Sequence, residues 1–215
     1  MKKQSGFTLI ELAIVLVIIG LLLGGVLKGQ ELINSAKAKN IASDLKNAQI
    51  FIYGYQDKFR AIPGDDANVA THINGGTPAT TPAATLNNAR IDGMWNSATL
   101  TDESVLFWQH VRLAGLATGP TNTADPAYLP RNAEAGRVGV QSAATFNTIN
   151  NMSTQGQYVV CSENITGRLA KQIDTNLDDG ETSTGDLRVI VSGNPAPITS
   201  ALIQDGSVYT ICMAF

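Results

Sequence analysis

The chain has 215 residues, a formal net charge of −3 and a hydrophobic content of 44%, much of it gathered at the N-terminus. That length allows one domain or a modest pair, with enough residues for a real core. Its 15 Lys and Arg are scattered along a mildly acidic sequence, so nucleic acid is not indicated as a partner. The two cysteines, Cys161 and Cys212, are an even count in a chain with an export-like start, which points to one disulfide; the alternative is two buried free thiols. Such a disulfide would close a long loop, worth roughly 4 kcal/mol by chain entropy.

The first element is MKKQSGFTLIELAIVLVIIGLLL, a short basic tag followed by an apolar run. From Phe7 to Leu27 there are 21 residues and one charge, Glu11. As a helix this run spans about 31 Å, the thickness of a bilayer core. A cleaved secretory signal would need a shorter apolar core and an Ala-x-Ala site, and none follows Leu27. An uncleaved anchor fits the length, with Lys2 and Lys3 keeping the N-terminus inside, but it leaves a carboxylate in hydrocarbon unexplained. A cut between Gly6 and Phe7 explains it. The new α-amino cation lies four residues before Glu11, on the same helix face, and can pair with that carboxylate within one chain or between neighbours. In hydrocarbon an unpaired charge is costly, so such a pair would set the axial register of packed helices.

Basic leader, Gly6 and FTLIELAIVLVIIGLLL together resemble the N-terminus of type IV pilins and pseudopilins; the likeness is close over about the first 30 residues. The resemblance implies a cleaved leader, 1–6, a transmembrane and filament-core helix, 7–30, and an extracytoplasmic head, 31–215. It implies that a prepilin peptidase cuts after Gly6 and methylates Phe7, and that Glu11 is the assembly glutamate. Loss of Lys2 and Lys3 with the leader takes the formal charge from −3 to −5. Many major pilins bend this helix with a proline near the membrane exit; this chain has Gly24-Gly25 and Lys28 there. The glycines can soften the helix or allow close helix packing.

Beyond the membrane the helix continues. Ile41, Leu45, Ala48, Ile52, Tyr55 and Phe59 recur every three or four residues, with Lys37, Lys39, Asp44, Lys46 and Asp57 largely off the stripe. This is a face for packing on a globular head, and Pro63-Gly64 ends it. IPGDDAN reads as a turn, and Thr71 to Gly93 as an exposed loop. TDESVLFWQHVRLAGL reads as a helix, with Thr101 as N-cap, Asp102 and Glu103 in the first turn, Val105 and Trp108 inward and Gly115 as the stop. Ala117 to Gly139 reads as a loop. AATFNTI, QYVVCS, LRVIVS and SVYTICM read as strands, with NITGRLAKQI as a helix between the second and third. The fold class is α+β, a long helix packed on an antiparallel sheet. This agrees with the pilin head, where a disulfide often closes a C-terminal surface segment, a pattern that Cys161–Cys212 resembles. WQHVRLAGL and IDTNLDDG are also similar to stretches of some prepilin-type proteins.

DTNLDDGETSTGD gathers oxygens: Asp174, Asn176, Asp178, Asp179 and Asp186 can ligate calcium, although Gly180 is one place late for an EF-hand and no Glu stands at its twelfth position. The other reading is an acidic turn whose side chains cap their own backbone. Some pseudopilins bind calcium in a late loop. Otherwise no cofactor is expected. His72 and His110 stand alone, without zinc spacing. No nucleophile elbow, phosphate loop or Cys-x-x-Cys appears, so an enzyme is not expected.

The expected function is a structural subunit of a type IV pilus or related filament. It would sit in the bacterial inner membrane as a single span with a cytoplasmic N-terminus, and then in a pilus or pseudopilus in the periplasm or at the cell surface. Its partners would be copies of itself or other pilin subunits, prepilin peptidase, membrane lipid and the assembly machinery. The alternatives are a type II secretion pseudopilin and a membrane-anchored binding module that never polymerises.

Overall fold

The computed structural model describes residues 9–152 and 154–215. Gly6 and Phe7 lie outside the described residues. The chain divides after Ala36 into two compact units.

One helix, α1 (Leu9–Phe59), runs through the division. Up to Ala36 none of its described residues is buried; from Ala38 onward it carries a buried stripe. Ile41, Leu45, Ala48, Ile52 and Tyr55 are each 0% exposed, and Phe59 is half-buried against the same core. The three-and-four spacing therefore marks the packing face, and Lys39, Lys46 and Asp57 are exposed. The helix stops after Phe59, where Arg60 turns into the left-handed region at φ 55°.

The head sheet has four antiparallel strands in the order β1-β2-β4-β3: β1 (Val138–Ser142), β2 (Tyr158–Thr166), β3 (Leu187–Ile190) and β4 (Val208–Ala214). With α1 on it the fold is α+β, as expected. Both faces are covered. One face, with Val140, Val160, Val189 and Ile211, meets the second half of α1 together with α3 (Glu103–Leu113) and α4 (Gly167–Leu177). The other face, with Val159, Cys161, Ile190 and Cys212, meets Trp95 and the segment of Phe146, Ile149 and Met152. Two-sided burial leaves β1 with every residue buried and β2 buried from Tyr158 to Ser162.

Several elements differ from the sequence expectation. AATFNTI is not a strand: it opens with a 3₁₀ turn, Ala143–Thr145, and the strand is the VGVQS before it. Gly139 in that strand leaves room for the Trp95 carbonyl, which a Cβ would meet at 1.9 Å. β2 runs on through Thr166 past a register shift at Ser162–Ile165, with Asn164 left-handed at φ 62°, so α4 starts later than expected. The N-cap of α3 is Asp102, not Thr101; its carboxylate takes the hydroxyls of Thr81 and Ser97, both at 2.5 Å. Every α3 residue from Glu103 to Arg112 is buried, so Val105 and Trp108 point inward with the rest. His72, expected in a loop, closes a four-residue helix, α2 (Val69–His72).

Cys161 and Cys212 form a disulfide, as the cysteine count suggested. They are directly paired across β2 and β4 with Cα atoms 4.1 Å apart, and both are 0% exposed. The bond therefore lies inside the sheet and closes no surface segment. It staples the two central strands under the second core face.

Candidate functional site

The N-terminal stretch presents its apolar side chains on all sides. Leu9, Leu16, Leu21, Leu22 and Leu27 are more than 60% exposed, and a long apolar window here has no residue buried inside the molecule. A helix apolar all round belongs in lipid or in a bundle of its like. Glu11 stands in its first turn, where the helix dipole favours a carboxylate, and no other acid occurs before Glu31. Lys28 pairs with Glu31 at 2.7 Å, at the end of the apolar run.

The acidic turn follows α4. Asp174, in its last turn, and Asp178, just past it, are four residues apart on one helical face. One carboxylate oxygen from each of Asp174, Asp178 and Asp179 lies within 4.8 Å of the others. Asp186 is exposed and outside this group, and Asn176 is exposed on α4. Asp178 accepts the Leu187 N–H at 2.7 Å, and glycine at position 185 (φ 67°) leaves space for that carboxylate. Asp179 accepts the Glu181 N–H at 2.9 Å and the Thr184 hydroxyl at 2.8 Å. These bonds hold Asp179 below the ordinary carboxylate range. Asp174 differs: it is 0% exposed and neither oxygen makes a hydrogen bond. Burial first, then the charges of Asp178, Asp179 and Glu181, push its pKa up to about 7, against the opposing pull of the Gly180 N–H. The sequence did not single out Glu181, which accepts from Ser183 and from the Ser200 N–H and so braces the turn.

A second carboxylate group was not anticipated. Glu103 is 0% exposed, with Oε2 accepting the Asp92 N–H at 2.7 Å and Oε1 without a partner. Burial, then the nearby charges of Asp65 and Asp92 against that one amide, raise its pKa to about 8. Glu103 lies in TDES, Asp65 in IPGDD and Asp92 in RIDG, and nothing in their spacing brings them together. His110 is buried and structural: Nδ1 accepts the Gly64 N–H at 2.9 Å and Nε2 bonds the Thr77 carbonyl at 2.8 Å. Burial lowers its pKa, which keeps the ring neutral for that role.

Residues 1–27 match the prokaryotic N-terminal methylation motif. The chain carries the prepilin-type cleavage and methylation signal of the type IV pilin family. No curated protein matches it, and no solved structure matches it. The motif marks a pilin-like or pseudopilin-class precursor and points to a structural subunit; it implies processing by a prepilin peptidase and assembly into pilin filaments. The apolar helix and the motif together fit membrane anchoring before assembly.

The two raised carboxyls set a pH dependence. The folded protein keeps protons on Asp174 and Glu103 that the unfolded chain releases near pH 4 to 5, so stability is highest at acid pH and is lost as pH rises through 7 and 8. Each group contributes a slope of at most about 1.4 kcal/mol per pH unit in that window. Urea unfolding of the full chain in detergent between pH 5 and 8 is expected to show this fall, and Asp174→Asn to flatten it; a flat wild-type profile would contradict the assignment.

Proposed function

We propose that this chain is a filament subunit of the type IV pilus kind. Prepilin peptidase removes residues 1–6 and methylates Phe7, and the subunit waits in the inner membrane as a single span with its N-terminus cytoplasmic. The assembly machinery then moves it into the filament, where residues 7–30 pack against the same helices of neighbouring subunits. The observation that carries this reading is the all-round exposed apolar surface of α1 up to Ala36, preceded by a processing motif. In the filament core Glu11 meets the Phe7 amine of a neighbour and fixes axial register, since a slipped register would strand both charges in apolar surroundings. The head domains form the outer surface, stapled by Cys161–Cys212.

Glu11→Ala in the native host is expected to leave the subunit in the membrane, with sheared filaments reduced tenfold or more, an energetic gap of about 1.4 kcal/mol or larger. An unchanged filament yield would contradict the register role of Glu11, and absence of the wild-type chain from sheared filaments would support an anchored module that does not polymerise.

The acidic turn adds a cation site. Asp174, Asp178 and Asp179 offer three hard oxygens in one place, and Asp174 brings a buried carboxylate with no other partner. Calcium takes such oxygens and completes its shell with carbonyls and water. Asp186 and Asn176, exposed beside the turn, are the reserve ligands. Millimolar calcium at pH 8 is expected to raise the melting temperature by several degrees, more than magnesium does, and Asp174→Asn to abolish the shift. An equal melting temperature with and without calcium would remove the site.

A further inference from the structure

The head carries a cleft of about 670 Å³ where α1 ends. Its walls are the last turn of that helix, the 65–68 turn, α2 and the 87–89 loop. Two wall carboxylates are already engaged. Asp66 accepts the Tyr55 hydroxyl at 2.7 Å and the Asn68 N–H at 2.9 Å, and pairs with His72 Nδ1 at 2.7 Å. Asp65 accepts the backbone N–H groups of Asn87 and Ala89. These bonds tie the three chain segments into one frame before any ligand arrives.

What remains unengaged is a specific set: the Arg60 guanidinium, His72 Nε2 and the carboxamides of Asn68 and Asn87, none of which makes a side-chain hydrogen bond or ion pair with another described residue. Beside them Phe59 and His72 stack with ring centres 5.5 Å apart, giving an aromatic wall. The φ of Arg60, 55°, is left-handed, at the position after a helix where glycine is the easier residue. Nearby left-handed positions are filled both by glycine, at Gly64 and Gly75, and by other residues, at Asn87 and Ala89. Arg60 is the one cationic side chain among the residues that line the cleft, apart from the titratable ring of His72.

We propose that this cleft binds an acidic saccharide, a sugar unit bearing one carboxylate. Arg60 receives the carboxylate in the paired geometry that a guanidinium offers. The two carboxamides, able to donate or accept, and His72 Nε2, which accepts while Nδ1–H is held by Asp66, take ring hydroxyls. The Phe59–His72 wall covers an apolar sugar face. One cation suits one carboxylate and not a polyphosphate, and the volume suits one or two sugar rings. The site belongs to the head alone and stands whether or not the chain polymerises.

The test uses the full chain in detergent micelles and saturation-transfer NMR with glucuronate, N-acetylneuraminate and glucose. At least one acidic sugar is expected to bind in the millimolar range or tighter, about tenfold or more above glucose. Arg60→Gly is expected to cost that preference while keeping or raising the melting temperature, because glycine relieves the left-handed backbone. Asn68→Ala, which keeps Arg60, is expected to weaken acidic sugar and glucose alike. Equal binding of glucose and the acids, an unchanged acid affinity in Arg60→Gly, or no binding of any sugar would each overturn the proposal.

Discussion

Everything in this chain depends on apolar surface that the molecule itself does not cover. Up to Ala36, α1 exposes leucine, isoleucine and valine on every side, and each such side chain left in water forgoes roughly 1.5–3 kcal/mol of burial. Lipid can take that surface, and so can other helices of the same kind. The backbone of α1 is satisfied internally as a helix, which permits either environment. The same helix then supplies Ile41, Leu45, Ala48, Ile52 and Tyr55 to the head core. The segment that must leave water is thus continuous with the segment the head needs in order to fold, and neither can be exchanged independently of the other.

The head meets a second constraint, which is to build a core around a sheet with both faces covered. Its second face is closed by loop segments rather than by a helix, and the Cys161–Cys212 bond joins the two central strands at that face. The loops are tied down by carboxylates. Asp65, Asp66 and Asp102 accept backbone amides or side-chain donors from residues 11 to 24 positions away, and Asp92 accepts from Asn88 within its own loop. Glu103 and Asp174 sit where the donors run out, and burial raises both. A protonated acid or a bound cation can satisfy such a position, which gives the acidic turn its chemical interest.

The sequence was legible where periodicity was strong. The α1 stripe announced its packing face because a 3.6-residue repeat leaves few alternatives, and the Glu11 anomaly announced the processing motif. It was misleading where strands carry atypical residues. VGVQS was passed over for AATFNTI because Gly139 and Gln141 weaken a strand signal, yet Gly139 is there to admit the Trp95 carbonyl and Gln141 accepts the Trp95 N–H. The start of α4 was misplaced because β2 continues past a bulge at Asn164. The acidic stretch was visible as composition, but helical geometry decides its membership: Asp174 and Asp178 meet across one turn, while Asp186 stays apart. The cleft at Arg60 could not be read at all, since its walls join the 56–72 stretch to a loop at 87–89 that nothing in the sequence places beside it.

The most direct test of the central claim is the mass of the mature N-terminus, on protein isolated from the native host. The account predicts a chain that lacks residues 1–6 and begins at Phe7 with one added methyl group on its amine. A chain that retains Met1 while the peptidase is present would leave no amine beside Glu11, and it would contradict assembly through that pair.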